Sequence, residues 1–127
     1  MKTSVMLVDD SAILRQAVRH LFDVHPKFEV CGEAENGREA VEKASELRPD
    51  LIVLDLSMPV MHGLEAATLL TKILPVVWII LFSNHDGPEV QRLARDAGIH
   101  AVVHKSKVTT HLIPQAEALI GRRAATA

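Results

Sequence analysis

Five short apolar runs alternate along the chain with five segments whose apolar residues recur every three or four positions. The short runs have the length of strands, and the recurring pattern is typical of one face of an amphipathic helix. Strict alternation of strands and helices predicts a parallel sheet that is covered by helices on both faces and joined by right-handed crossovers. The predicted strands comprise residues 5–8, 28–34, 51–54, 76–81 and 101–103.

The composition of the predicted strands indicates their order in the sheet. The first, third and fourth strands are almost wholly apolar, as strands with both faces buried must be. The second strand alternates apolar with polar residues and the fifth is short, and both features are typical of edge strands. We therefore predict an α/β, flavodoxin-like, doubly wound sheet of five parallel strands in the order 2-1-3-4-5, with five helices.

The chain length and a few single residues predict the extent of the fold. With 127 residues there is room for one core, which we assign to residues 1–122, and residues 123–127 are predicted to be a polar tail or the start of a linker. Ile13 opens the apolar stripe of the first helix. Gly98 is expected to form a left-handed cap after the fourth helix, and Gly63 is expected to adopt a backbone conformation that other residues avoid.

The charge and cysteine content exclude several classes of protein. The chain has 14 basic and 16 acidic residues in interleaved positions, so no broad attraction to nucleic acid or anionic lipid is expected. Cys31 is the one cysteine, which excludes an internal disulfide and paired-cysteine zinc motifs. No apolar run is long enough for a signal peptide or a membrane span. We predict a cytoplasmic protein with no membrane association and no direct nucleic-acid binding.

Polar residues that follow the predicted strands define the candidate site. In an open parallel sheet, ligands bind beyond the carboxyl ends of the strands, so these residues should meet at one rim. Three carboxylates at one rim repel one another and need a cation, and a set of oxygen ligands suits Mg2+. A lysine and a hydroxyl beside them suit a phosphoryl group, which a carboxylate nucleophile can accept. The converging residues are Asp9, Asp10, Asp55, Ser83 and Lys105.

Each candidate residue also has an ordinary structural interpretation. The Asp10-Ser11 pair could cap the first helix, and Asp55 could form a turn after its strand. Ser83 and Lys105 could be a loop residue and a solvated surface residue. Their convergence on neighbouring strands favours a site. The seven histidines show no metal-ligand spacing and are interpreted as surface or core residues, with two near the rim that are candidates for modulating the site, His62 and His85.

Four short motifs carry these residues in order along the chain: Val-Asp-Asp-Ser at 8–11, Leu-Asp-Leu-Ser-Met-Pro-Val-Met-His-Gly at 54–63, Leu-Phe-Ser at 81–83 and His-Lys at 104–105. Together they resemble the receiver domains of two-component response regulators, and the resemblance covers essentially the whole chain. It implies that Asp9 and Asp10 bind Mg2+, with Asp55 and the backbone carbonyl of Ser57 as further ligands. It also implies that Asp55 accepts a phosphoryl group from the phosphohistidine of a sensor histidine kinase or a phosphotransfer protein.

The resemblance assigns Ser83 and Lys105 to stabilising the phosphoryl group, but two neighbouring positions depart from the family's pattern. The family usually has a proline directly after this lysine and an aromatic residue three positions before it, whereas this chain has Ser106 and Val102. Without proline, a cis peptide bond before Ser106 would cost about 2.5–4 kcal/mol. Val102 is β-branched and too short to act as a moving aromatic side chain.

The expected output follows from these departures. Phosphorylation is expected to reposition Ser83 and the loop 84–87 with little movement at Val102, and Ser57 and His85 are further candidates for modulating the switch. A partner or dimer interface is expected near the fourth helix and fifth strand. An output domain beyond the C-terminus or a homodimer is expected, and the segment from Leu81 to Lys105 resembles most the receivers of helix-turn-helix regulators.

Three other functions compete with a phosphorylated signalling switch. A receiver that serves only for docking would be expected to have lost some of its site residues. A phosphatase with an aspartate nucleophile would place a second acid two residues after it, where this chain has Ser57. A flavin carrier would need small neutral residues in its first loop, where Asp9 and Asp10 would repel a phosphate. We therefore predict a switch rather than an enzyme.

Overall fold

The strands of the protein form one parallel sheet in the order β2-β1-β3-β4-β5. The computed structural model describes residues 2–58 and 61–126. Within these residues the predicted fold class, strand order and number of helices are confirmed. The elements in chain order are β1 (Thr3–Val8), α1 (Ala12–Asp23), β2 (Phe28–Ala34), α2 (Gly37–Leu47), β3 (Leu51–Asp55), α3 (Gly63–Ile73), β4 (Trp78–Ser83), α4 (Pro88–Asp96), β5 (Ala101–His104), a 3-10 turn (Lys105–Lys107) and α5 (Val108–Thr126).

The sheet separates two apolar layers. Ile52 and Leu54 of β3 pack in the layer that includes α2, α3 and α4, whereas Leu51 and Val53 pack in the layer that includes α1 and α5. Because β3 is buried on both faces, its sequence is a continuous apolar run that ends in Asp55. The central position of β3 therefore places this carboxylate in the middle of the rim formed by the strand ends.

Single residues at the ends of helices have the conformations that their chemistry requires. The Ser11 side chain caps α1 by accepting a hydrogen bond from the Leu14 N–H at 3.2 Å. Gly98 has a φ of 88° after α4, which confirms the predicted left-handed cap. The prediction for Gly63 is wrong because its φ is not positive. Glycine is required there for space, since a Cβ would clash with the carbonyl oxygen of Asp55.

The fourth strand has the predicted length of six residues, but it comprises residues 78–83 instead of 76–81. It begins at Trp78, although the apolar run starts at Val76. The side chain of Val76 is 78% exposed, and the chain turns there with a hydrogen bond from the Val77 N–H to the Leu74 carbonyl at 3.1 Å. The apolar residue in this turn therefore placed the predicted start of the strand too early.

Two helices also differ from the predicted pattern. Ile13 is 83% exposed, because the buried face of α1 begins further along the helix and includes Val18 and Phe22. At the other end of the chain, α5 continues to Thr126, so the stretch predicted to be a tail starts as helix. The domain boundary at residue 122 stays a prediction.

Candidate functional site

The carboxyl ends of β1, β3, β4 and β5 bring the predicted site residues to one rim of the sheet. One carboxylate oxygen from each of Asp9, Asp10 and Asp55 lies within 4.8 Å of the others. The Lys105 Nζ lies 2.9 Å from Asp55 Oδ1. Lys105 and Asp55 are 50 positions apart in sequence and are in direct contact, as expected for residues that follow neighbouring parts of one parallel sheet.

Asp55 is the central residue of the site. Its side chain is 1% exposed, and Oδ1 accepts from Lys105 Nζ and, at 3.4 Å, from the Ser57 N–H. Its Oδ2 is buried and has no hydrogen-bond donor among the residues that the structure describes. Burial raises the pKa of Asp55, and the hydrogen bond and charge of Lys105 oppose that rise. Oδ1 of Asp55 is thus held in place by two donors, whereas Oδ2 remains available to bind a cation or to act as a nucleophile.

Asp9 has a similar arrangement. It is 4% exposed, its Oδ1 accepts from the Ser11 N–H at 2.8 Å, and its Oδ2 is buried without a donor in the described part of the chain. Burial raises the pKa of Asp9, the Ser11 hydrogen bond lowers it, and the nearby Asp55 carboxylate raises it further. Asp10, by contrast, is exposed.

The backbone of Asp9 is fixed by a network that the sequence did not reveal. Arg15 Nη1 donates to the Asp9 carbonyl at 2.6 Å, and Arg15 Nε donates to Glu33 at 3.0 Å. Glu33 also accepts from Arg19 at 2.6 Å. Burial alone would raise the pKa of Glu33, but hydrogen bonds from the two arginines outweigh it and lower the pKa. The signal in the sequence was weak, because Glu33 and the arginines lie on separate elements.

The acidic cluster fits a hard divalent cation. Two of its carboxylates are buried, and each has an oxygen without a donor among the described residues. A set of carboxylate oxygens is the ligand type that Mg2+ prefers, and the cluster of Asp9, Asp10 and Asp55 carries more negative charge than Lys105 offsets. Ser57 is exposed beside Asp55, and the role of its carbonyl as a metal ligand stays a prediction.

Ser83 ends β4 beside Asp55 on the neighbouring strand. Its side chain is 1% exposed, and its Oγ accepts a hydrogen bond from the His85 N–H at 2.9 Å. The hydroxyl oxygen is therefore anchored to the loop that leads into α4. Only the backbone of His85 makes this contact, and the residue is exposed. Val102 lies one strand further along and packs partly buried against the layer that includes α3 and α4.

Several histidines have a structural function that the sequence interpretation missed. The His62 Nδ1 accepts from the Glu65 N–H at 3.4 Å at the start of α3. The His104 Nδ1 accepts from the Ser106 N–H at 3.1 Å in the turn that contains Lys105. An imidazole acceptor here takes the place of the Asn, Asp, Ser or Thr side chains that usually cap turns, so the ordinary signal for a cap was absent.

The chain belongs to the response regulator receiver domain family, whose sequence model matches residues 5–117. The protein-glutamate methylesterase/protein-glutamine glutaminase of Alkalilimnicola ehrlichii is 39% identical over 107 residues, which is 83% of this chain and 27% of that protein. The protein of the same description from Geobacillus kaustophilus is 46% identical over 85 residues, which is 66% of this chain and 24% of that protein.

Two solved structures have the same fold. The response regulator domain of Thermotoga maritima CheB has a TM-score of 0.84 and 32% identity, over 91% of this chain and 93% of that one. A LuxR-family two-component response regulator from Aurantimonas sp. SI85-9A1 has a TM-score of 0.90 and 31% identity, over 95% of this chain and 86% of that one. The predicted family is thereby confirmed.

The match to the two protein-glutamate methylesterase/protein-glutamine glutaminase proteins covers only a part of each of them. This chain spans about a quarter of the length of the curated relatives it matches. Among the residues described by the structure, no helix is both long and apolar enough to cross a membrane.

Proposed function

We propose that the chain is a phosphorylatable signalling switch, in which Asp55 accepts a phosphoryl group with Mg2+ held by Asp9, Asp10 and Asp55. The observation that carries this proposal is the contact of Lys105 with Asp55 at 2.9 Å inside a cluster of three carboxylates. A lysine held against one oxygen of a buried aspartate leaves the other oxygen as the nucleophile.

The residues of the chain divide the chemistry between them. Asp55 Oδ2 attacks the phosphorus of a phosphohistidine, a P–O bond forms, and the P–N bond breaks with its electron pair returning to the imidazole nitrogen. Lys105 orients Asp55 through Oδ1 and then pairs with a phosphoryl oxygen, and the Ser83 hydroxyl donates to another. Bound Mg2+ supplies charge that neutralises the phosphoryl oxygens during transfer.

The donor is proposed to be a sensor histidine kinase or a phosphotransfer protein in the cytoplasm. Ile13 supports a protein donor, because it places a large apolar side chain, 83% exposed, three residues after Asp10. An exposed apolar residue beside a polar site favours contact with another protein surface.

The output is proposed to start at Ser83. Its Oγ is bonded to the His85 N–H, so a rotation of the hydroxyl toward a phosphoryl group breaks that bond and releases the loop 84–87. Val102 is partly buried against the layer that includes α3 and α4 and is proposed to move little. The responding surface is α4 and β5, where Leu93 is 39% exposed, and it contacts an output domain or a second copy of the chain.

Incubation with acetyl phosphate and Mg2+, followed by intact-mass analysis, tests the proposal. One adduct of a phosphoryl group is expected on the wild-type chain. Asp55→Asn is expected to lose it, because the amide is not a nucleophile, whereas Asp96→Asn at the exposed end of α4 is expected to retain it. An equal yield in Asp55→Asn, or full labelling in excess chelator, would contradict the assignment.

A further inference from the structure

The turn after β5 places Lys105, and the histidine that caps this turn, His104, directly precedes the lysine. We propose that His104 is a positioning residue: its imidazole holds the turn from which Lys105 reaches Asp55. This inference rests on the proposed function, since it concerns how the lysine of the phosphorylation site is kept in place.

The hydrogen bonds of this turn depend on the imidazole. The His104 Nδ1 accepts from the Ser106 N–H at 3.1 Å and lies 2.8 Å from the Ser106 Oγ. The first N–H groups of a helical turn have no partner within it, so an acceptor from the preceding residue satisfies one of them. The peptide bond between Lys105 and Ser106 is trans. The histidine and serine thus build a trans turn at the position where the family usually has proline.

His104 lies next to both residues that are proposed to contact the phosphoryl group, Ser83 and Lys105. It is paired with Ser83 in the register of β4 and β5, and it directly precedes Lys105. A lysine side chain is a flexible four-carbon chain, so its ammonium is only as well placed as its backbone. When the turn is fixed, Lys105 Nζ stays near Asp55 Oδ1, at 2.9 Å. When the turn is more mobile, we expect the Lys105 side chain to spend a smaller fraction of the time in contact with Asp55.

The geometry requires one tautomer of His104. Because Nδ1 accepts from a backbone N–H, the neutral ring must carry its proton on Nε2. The nitrogen shifts of the His104 imidazole in a long-range 1H–15N NMR spectrum report this tautomer directly, without phosphorylation. An Nδ1-protonated neutral ring would overturn the proposal.

The chain contains a matched control for this turn. The His25 Nδ1 accepts from the Lys27 N–H at 3.2 Å, which is the same two-residue contact at the start of β2. That turn lies at the amino end of the strands, opposite the site. His25→Ala therefore removes the same kind of hydrogen bond without touching Lys105.

Three variants test the positioning role by the initial rate of labelling with acetyl phosphate at saturating Mg2+. His104→Ala is expected to label about fivefold more slowly, a loss of about 1 kcal/mol. His104→Asn is expected to recover most of the rate, because its Oδ1 can accept from the N–H two residues on. His25→Ala is expected to label at the wild-type rate even where its urea midpoint falls.

The outcomes separate the two proposals. If the wild type does not label, the proposed function fails, and the NMR result still decides whether His104 holds the turn. If the wild type labels and His104→Ala labels equally fast, only the positioning role fails. Equal slowing in His104→Ala and His104→Asn would also refute it, since the acceptor would then not be the property that matters.

Discussion

The metal-free site is expected to destabilise the domain, and Asp9→Asn should reveal this. One carboxylate oxygen of Asp9 and one of Asp55 lie within 4.8 Å of each other. At that separation two like charges repel by about 3.5 kcal/mol with an effective dielectric constant of about 20. Lys105 offsets part of this repulsion, and the Ser11 N–H stabilises the Asp9 charge. We therefore expect Asp9→Asn to raise the free energy of unfolding by about 1–2 kcal/mol at pH 7 in chelator.

The asparagine keeps the local geometry that Asp9 supplies. Its Oδ1 can still accept from the Ser11 N–H, as the Oδ1 of Asp9 does. Charge is therefore the main difference between the two proteins. Urea unfolding followed by circular dichroism should show a midpoint higher by about 0.5–1 M, since the slope for a small domain is about 1–3 kcal/mol per M.

In Mg2+ the order of stability should reverse, with the wild type more stable than Asp9→Asn. A ligand at about 100 times its Kd adds about 2.7 kcal/mol to the stability of the protein that binds it. The wild type should gain this, and Asp9→Asn should gain less because one of three carboxylates is lost. Asp96→Asn, at the exposed end of α4, is the control and should follow the wild type in both conditions.

The pH dependence of the free energy of unfolding tests independently whether the charge of Asp9 destabilises the metal-free domain. The pKa of Asp9 is raised above its ordinary value of 3.8 by burial. Protonation therefore favours the folded state, and this stabilisation is complete below 3.8 and lost as the pH rises through the folded pKa. The advantage of Asp9→Asn in chelator should thus shrink as the pH is lowered toward that value. A variant that is less stable than wild type in chelator at pH 7 would refute the reasoning.

Two further predictions concern the surroundings of the site. Glu33→Gln should lower the free energy of unfolding by about 1 kcal/mol at pH 7, because it removes the ion pairs with the two arginines. The pKa of Glu33 is lowered from its ordinary value of 4.5, so the difference in stability from wild type should be complete above pH 4.5 and disappear as the pH falls through the lowered pKa. Urea unfolding at a series of pH values measures this difference. NMR spectra with and without a beryllofluoride phosphoryl mimic should show changes concentrated at Ser83 and the loop after it. A χ1 change at Val102 as large as that at Ser83 would contradict the loop-led output.

The order of the strands was predictable because it depends on burial. A central strand of a doubly wound sheet must be apolar on both faces, and β3 shows this over every residue before Asp55. The convergence of the acids with Lys105 then follows from topology alone. Positions such as Val76 were misread because the pattern records only that a residue is apolar, and this one is 78% exposed in a turn.

The contacts around the site were less predictable because they depend on distances between elements. Arg15 reaches both the Asp9 carbonyl and Glu33, and no spacing along the chain encodes a contact between α1 and β2. The cap provided by His104 was hidden for another reason. Histidine is not among the usual capping residues, so a two-residue contact to Ser106 carried no recognisable signal.

The proposed reactivity of the site and the instability expected of it without metal have one origin. Asp9 and Asp55 each have one oxygen held by a donor and one buried oxygen without a donor among the described residues. If donors satisfied all four oxygens, the metal-free domain would be more stable, but no acceptor would remain for a cation and no nucleophile for phosphorus. Full burial of one large apolar side chain contributes about 1.5–3 kcal/mol, so the apolar residues of β3 readily offset a cost of about 1–2 kcal/mol. A substitution that relieves the repulsion should therefore weaken metal binding and slow labelling together.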